Sequence, residues 1–128
     1  DVTDKPAFPY RGILLDTARN YYTVKEIEGV LDAMSYNKLN TFHWHITETN
    51  SFPIVMRSLP KMAYYGAHSG RQVYYPEDIR HLVEYGRIRG VRVLPEFDAP
   101  AHVGNGWQWG PQEGLGDLAV CVNQVCTI

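Results

Sequence analysis

Residues 40–53 read NTFHWHITETNSFP, and the period of this stretch decides the fold. Phe42, Trp44 and Ile46 fall on one side of an extended chain, and Thr41, His43 and His45 on the other. Aromatic and β-branched residues in strict alternation suit a strand. A strand over residues 39–46 is therefore expected, with one apolar face to bury under helices and one face carrying two imidazoles. Glu48 lies three positions after His45. The spacing alone leaves open whether this is a metal site, an acid–base site or a pair of core histidines.

On either side of this strand, GILLD at 12–16 and VRVLPEFD at 91–98 read as two further buried strands. Residues 24–36 place Val24, Ile27, Val30, Leu31 and Met34 at helical spacing. Thr23 and Glu26 frame the start of this helix as a capping box. A second helix is expected over 76–89, opened by Pro76 and stopped at Gly90. Residues 47–75 and 99–128 are read as long loops, and loops of such length are usually functional. Strands alternating with helices imply an α/β fold with parallel pairing.

Each strand ends in polar residues. The first gives Asp16 and then Arg19, the second His43, His45 and then Glu48, the third Glu96, Asp98 and then His102. Asp16 shares a face with Leu14, and Glu96 and Asp98 share one with Leu94. These faces converge at the carboxyl ends of parallel strands, where barrels and open α/β sheets build their sites. Buried imidazoles and carboxylates must satisfy one another, or each costs about 1–3 kcal/mol. His43, His45, Asp16, Glu96 and Asp98 are thus read as a polar layer beneath a site. A closed barrel needs eight strands and roughly 250 residues. Residues 1–128 are accordingly expected to be one partial barrel domain, completed by the same or another chain.

The 128 residues carry 12 Lys and Arg against 14 Asp and Glu, a net charge of −2. That balance argues against nucleic acid or an anionic membrane as the main partner. No apolar run approaches the roughly 20 residues of a membrane span. The opening DVTDKPAFPYRG is polar and lacks the pattern of a signal peptide. Cys121 and Cys126 read as free thiols, a short-loop disulfide or partners of residues elsewhere; either disulfide reading implies an oxidising compartment.

FPYRGILLDTARNYY, LNTFHWHITETNSFP and RGVRVLPEFDAPAHVGNGW, in this order, resemble the catalytic barrel of the family 20 glycoside hydrolases. These are β-N-acetylhexosaminidases, among them animal lysosomal and insect chitin-degrading enzymes. The likeness runs from Pro6 to about Trp107. It implies the N-terminal three strands and two helices of a (β/α)8 TIM barrel. It also implies substrate-assisted hydrolysis of terminal N-acetylglucosamine or N-acetylgalactosamine, from glycans or chitooligosaccharides, with no cofactor and no metal. By resemblance, Arg19 binds hydroxyls of the terminal sugar, a task suited to its rigid fork of donors. His102 contacts the catalytic acid, and Glu48 stands where the family usually has the aspartate partnering that histidine. Asp98 matches an aspartate buried close by. The family's adjacent Asp-Glu pair comes after its fourth strand, and no such dipeptide occurs after His102. Trp107 and Trp109 are candidates for stacking on an adjacent sugar. The resemblance points to a lysosomal or extracellular location and leaves a homodimer open.

Two rivals stand beside this reading. One is a metal-dependent barrel hydrolase using the His-x-His motif; the other is a non-catalytic glycan-binding or vestigial module, suggested by the absent pair and by Glu48.

Overall fold

A computed structural model describes residues 1–122 and 125–128. Its centre is a parallel sheet in the order β1 (Gly12–Asp16), β2 (Thr41–Thr47), β3 (Arg92–Phe97). Helix α1 (Val24–Tyr36) connects β1 to β2, and α3 (Pro76–Arg87) precedes β3. Phe42, Trp44 and Ile46 on β2 are fully buried against Ile27, Leu31 and Leu82 of the two helices. Burying side chains of this size contributes about 1.5–3 kcal/mol each, which anchors β2 as the central strand.

Helix α1 starts as its sequence predicts. The Thr23 hydroxyl accepts the Glu26 N–H at 3.3 Å, and the Glu26 carboxylate accepts the Thr23 N–H at 2.7 Å. At its other end the Leu39 N–H returns to the Met34 carbonyl at 2.9 Å, and Lys38 takes a φ of 58°. Leu39 and Asn40 therefore belong to the turn, and β2 begins at Thr41 instead of residue 39. Helix α3 ends at Arg87, two residues short of the expected end. There the chain tightens: the N–H groups of Arg89 and Val91 both reach the Gly86 carbonyl, at 2.9 Å each, and Gly90 adopts a φ of 73°.

Neither long loop is structureless. Residues 47–75 contain a short helix α2 (Lys61–Gly66), whose Met62 and Ala63 are buried. Residues 99–128 contain a 3-10 turn (Pro111–Glu113) and an antiparallel hairpin of β4 (Val120–Val122) and β5 (Val125–Thr127). A Cys121–Cys126 disulfide bridges that hairpin. These elements are too short for a periodic signal, and tertiary contacts hold them. No helix among the described residues is long and apolar enough to cross a membrane.

Strand register sets the site in rows. Leu14, His43 and Leu94 lie abreast, and one step further Asp16, His45 and Glu96 do so. Beyond His45 the β2–β3 register shifts, so that Thr47 faces Phe97. Such a bulge bends a strand and re-aims the residues beyond it, and here it stands immediately before Glu48.

Candidate active site

Three polypeptide turns meet at the carboxyl ends of the parallel strands. In the first, after β1, Asp16 Oδ1 accepts the backbone N–H groups of Ala18 at 3.0 Å and Arg19 at 2.9 Å. Its other oxygen lies 3.1 Å from the Arg19 guanidinium. One aspartate thereby shapes the turn and holds its arginine. The turn is buttressed from β2 by the Trp44 indole N–H, which donates to the Thr17 hydroxyl at 2.8 Å. His68, from the segment after α2, bonds the Ala18 carbonyl at 2.8 Å.

The second turn, after β2, closes with reciprocal backbone bonds between Glu48 and Ser51, 3.1 Å each way. Glu48 is only 5 % exposed. One of its oxygens accepts the Asn50 N–H at 2.9 Å. The other, Oε1, lies 3.4 Å from Arg19 Nη2 and 3.3 Å from His102 Nδ1. Burial acts to raise the Glu48 carboxyl, but the Asn50 N–H, the His102 contact and the Arg19 charge outweigh it and hold the group below the ordinary carboxylate range.

The third turn, after β3, carries His102 at a φ of 60°, a conformation uncommon for any residue but glycine. Its ring is half exposed, and Nδ1 also lies 3.9 Å from Asp98 Oδ2. Hairpin β4–β5 supports this segment: the Val103 N–H reaches the Cys126 carbonyl at 3.2 Å, and the Ile128 N–H reaches that of Pro100 at 2.9 Å. Arg19, Glu48, Thr49, Asn50, His102 and Val125 border one open hollow of about 290 Å³.

Below this level, His43 hydrogen-bonds Glu96. His45 stands between two aspartates, with Nδ1 3.4 Å from Asp16 and Nε2 3.1 Å from Asp98. Neither contact has hydrogen-bond alignment, so His45 Nε2 and Asp16 Oδ2 are buried without a hydrogen bond, Asp16 Oδ2 keeping only its ion pair with Arg19. The expectation of a fully self-satisfied polar layer is thus corrected at His45. A metal reading of His-x-His would join His43 and His45 at one ion. The structure instead groups His45 with Glu96 and Asp98, one donor atom from each lying within 4.8 Å of the others, while His43 turns to Glu96.

The two tryptophans do not border the hollow at Arg19. Trp107 is half-buried and lines a separate hollow of about 270 Å³ with Gly104, Gln108, Leu118 and Cys121. Trp109 packs inward, its N–H on the Met62 sulfur at 3.4 Å and the Lys61 ammonium 5.8 Å from its ring centre. Sequence reasoning missed Asn50, Asn105 and His68. Asn50 acts through its backbone N–H, which carries no side-chain signal. His68 bonds a main-chain carbonyl 50 residues away that only folding brings close, and Asn105 offers only a glycine on either side as a signal.

A parallel α/β unit whose strands deliver an arginine, a glutamate and a histidine to one rim has the build of an α/β enzyme segment. The chain belongs to the glycosyl hydrolase family 20 catalytic-domain family, whose model matches residues 8–127. It is 62 % identical over 110 residues to a chitooligosaccharidolytic beta-N-acetylglucosaminidase of Bombyx mori, covering 84 % of this chain and 18 % of that protein. It is 48 % identical over 123 residues to a probable beta-hexosaminidase of Drosophila melanogaster, covering 96 % of this chain and 19 % of that one. Among solved structures, the family 20 exo beta-N-acetylglucosaminidase of Vibrio harveyi matches at a TM-score of 0.75 and 28 % identity, over 85 % of this chain and 20 % of that one. The chain thus spans about a fifth of the length of these relatives.

Proposed function

We propose that residues 1–128 are the first three strands of a catalytic (β/α)8 barrel that hydrolyses terminal N-acetylglucosamine or N-acetylgalactosamine from glycans or chitooligosaccharides. The observation that carries this reading is the meeting of Arg19 and His102 at a single oxygen, Glu48 Oε1, from the ends of three different strands. Family membership supports the glycosidase class.

In this reading Arg19, more than half exposed, turns its free donors to sugar hydroxyls while Asp16 and Glu48 hold its position. The substrate's own acetamido oxygen attacks the anomeric carbon as the leaving oxygen takes a proton. The donor of that proton, and the aspartate that orients the acetamido group, come from the Asp-Glu pair outside these 128 residues. His102 and Glu48 position and tune that donor, with Asp98 behind them. His43, His45, Asp16 and Glu96 form the layer on which these groups rest. The disulfide favours a secreted or lysosomal setting.

The test is turnover of a chromogenic N-acetyl-β-glucosaminide by a complete barrel carrying this segment. His102→Ala should lower kcat about a hundredfold with little change in KM, and Arg19→Ala should lower kcat and raise KM together. The 128-residue chain by itself should give no turnover, for want of a proton donor. Unchanged kinetics in both variants would dismiss this site assignment, and hydrolysis by the isolated chain would dismiss the external donor.

A further inference from the structure

We propose that Asn105 is a positioning residue of this site: its side-chain amide ties the turn bearing Glu48 to the loop bearing His102 and so fixes the separation at which the two groups meet. The inference rests on the reading that this pair supports a proton donor.

The Asn105 amide nitrogen donates to the Thr49 carbonyl at 2.8 Å and to the Asn50 carbonyl at 3.0 Å. Its oxygen accepts from the Gln108 side-chain amide at 2.7 Å, and Gln108 in turn accepts the Gly106 N–H at 2.7 Å. Both ends of the amide are engaged, so its orientation is fixed. The Thr49 carbonyl and the Asn50 N–H belong to one peptide group. That group is planar and trans, with C=O and N–H pointing opposite ways. Asn105 grips the oxygen end, and the nitrogen end donates to Glu48 Oε2 at 2.9 Å. Asn105 therefore sets the plane that aims the Asn50 N–H at Glu48, and each bond polarises the next.

The geometry has little slack. Charge-assisted N–H···O bonds run about 2.7–2.9 Å, whereas Glu48 and His102 stand 3.3 Å apart. A small rotation of the 49–50 peptide is enough to break the contact. Gly104 permits the close approach, since a Cβ there would lie 2.6 Å from Thr49 Cγ2 and 2.9 Å from the Thr49 carbonyl oxygen.

The experiment uses a complete barrel carrying this segment and reads kcat, KM, melting temperature and the pH dependence of kcat. Asn105→Asp keeps the shape but sets a carboxylate against two carbonyls; Asn105→Ala removes the donors without adding charge. Both should lower kcat, Asn105→Asp by about tenfold or more, with KM within about twofold. Both should move the limb of the pH profile set by the proton donor in the direction that His102→Ala moves it. A lower melting temperature with an unmoved pH profile in both variants, while His102→Ala does move it, overturns the role of Asn105 alone. An unmoved profile in His102→Ala refutes the underlying reading of the pair, and this inference with it.

Discussion

Glu48 shows how the site offsets the cost of burying a carboxylate. Water is nearly excluded from it, yet its pKa lies below the usual value, because the Asn50 N–H, His102 and Arg19 favour the ionised form over the opposing effect of burial. A carboxyl whose native pKa is depressed stabilises the fold only while ionised. That contribution is complete above the ordinary value of 4.5 and is lost as the pH falls through the lower native value. Glu48→Gln should therefore be less stable than the parent at neutral pH, and its stability should decline less steeply as the pH falls below the ordinary value of 4.5. Urea midpoints measured from neutral pH down through the acid limb check this; parallel acid limbs would refute it. Gly104→Ala tests the neighbouring contact. Its methyl group would meet Thr49 inside van der Waals distance, against backbone as well as side chain. A loss of about 1–3 kcal/mol is expected, the range for overpacking, read as a lowered urea midpoint.

Among the elements, legibility in the sequence divides by length and by range. The three strands and two long helices carry repeated, periodic signals, and Phe42, Trp44 and Ile46 against Thr41, His43 and His45 is the clearest of them. Thr23 is a local signal as well: Thr23→Ala should remove the cap of α1 and lower stability by about 1 kcal/mol, with Thr23→Ser restoring most of it, both by chemical denaturation. Helix α2 has six residues, below the length at which propensity counts, and Gly66 lies there because a Cβ would meet Phe52 at 2.6 Å and Gly106 at 2.8 Å. The site divides in the same way. Arg19, Glu48 and His102 are legible through strand ends and family motifs. Asn105 is not, since its bonds go to main-chain carbonyls 56 and 55 residues away and leave no side-chain pattern in the sequence. The orphaned His45 nitrogen is hidden for another reason: alternation places a ring on a face but not its angle to a carboxylate.

At the scale of the molecule, the sheet formed by the described residues has β1 and β3 as its edges, with large apolar groups beside them in contact with water. Leu14 is 53 % exposed and Phe97 48 % exposed. Exposed strand edges invite pairing with other chains, which natural proteins avoid by covering or closing them. Leu14 is the more informative of the two, because it shares the polar-layer face with Asp16 and lies abreast of His43 and Leu94. If this sheet is the start of a closed barrel, that face becomes the interior and Leu14 is buried by strands beyond these residues. Leu14→Ala should then act differently in two settings. In the isolated 128-residue chain it should change stability by less than about 0.5 kcal/mol, the usual range for an exposed site. In a complete barrel it should cost about 2–5 kcal/mol, the range for a cavity in a packed core. Urea denaturation of both pairs gives the comparison. Equal small effects would mean that no barrel interior forms over this face, and the proposed placement of these strands would fail while the family assignment stood.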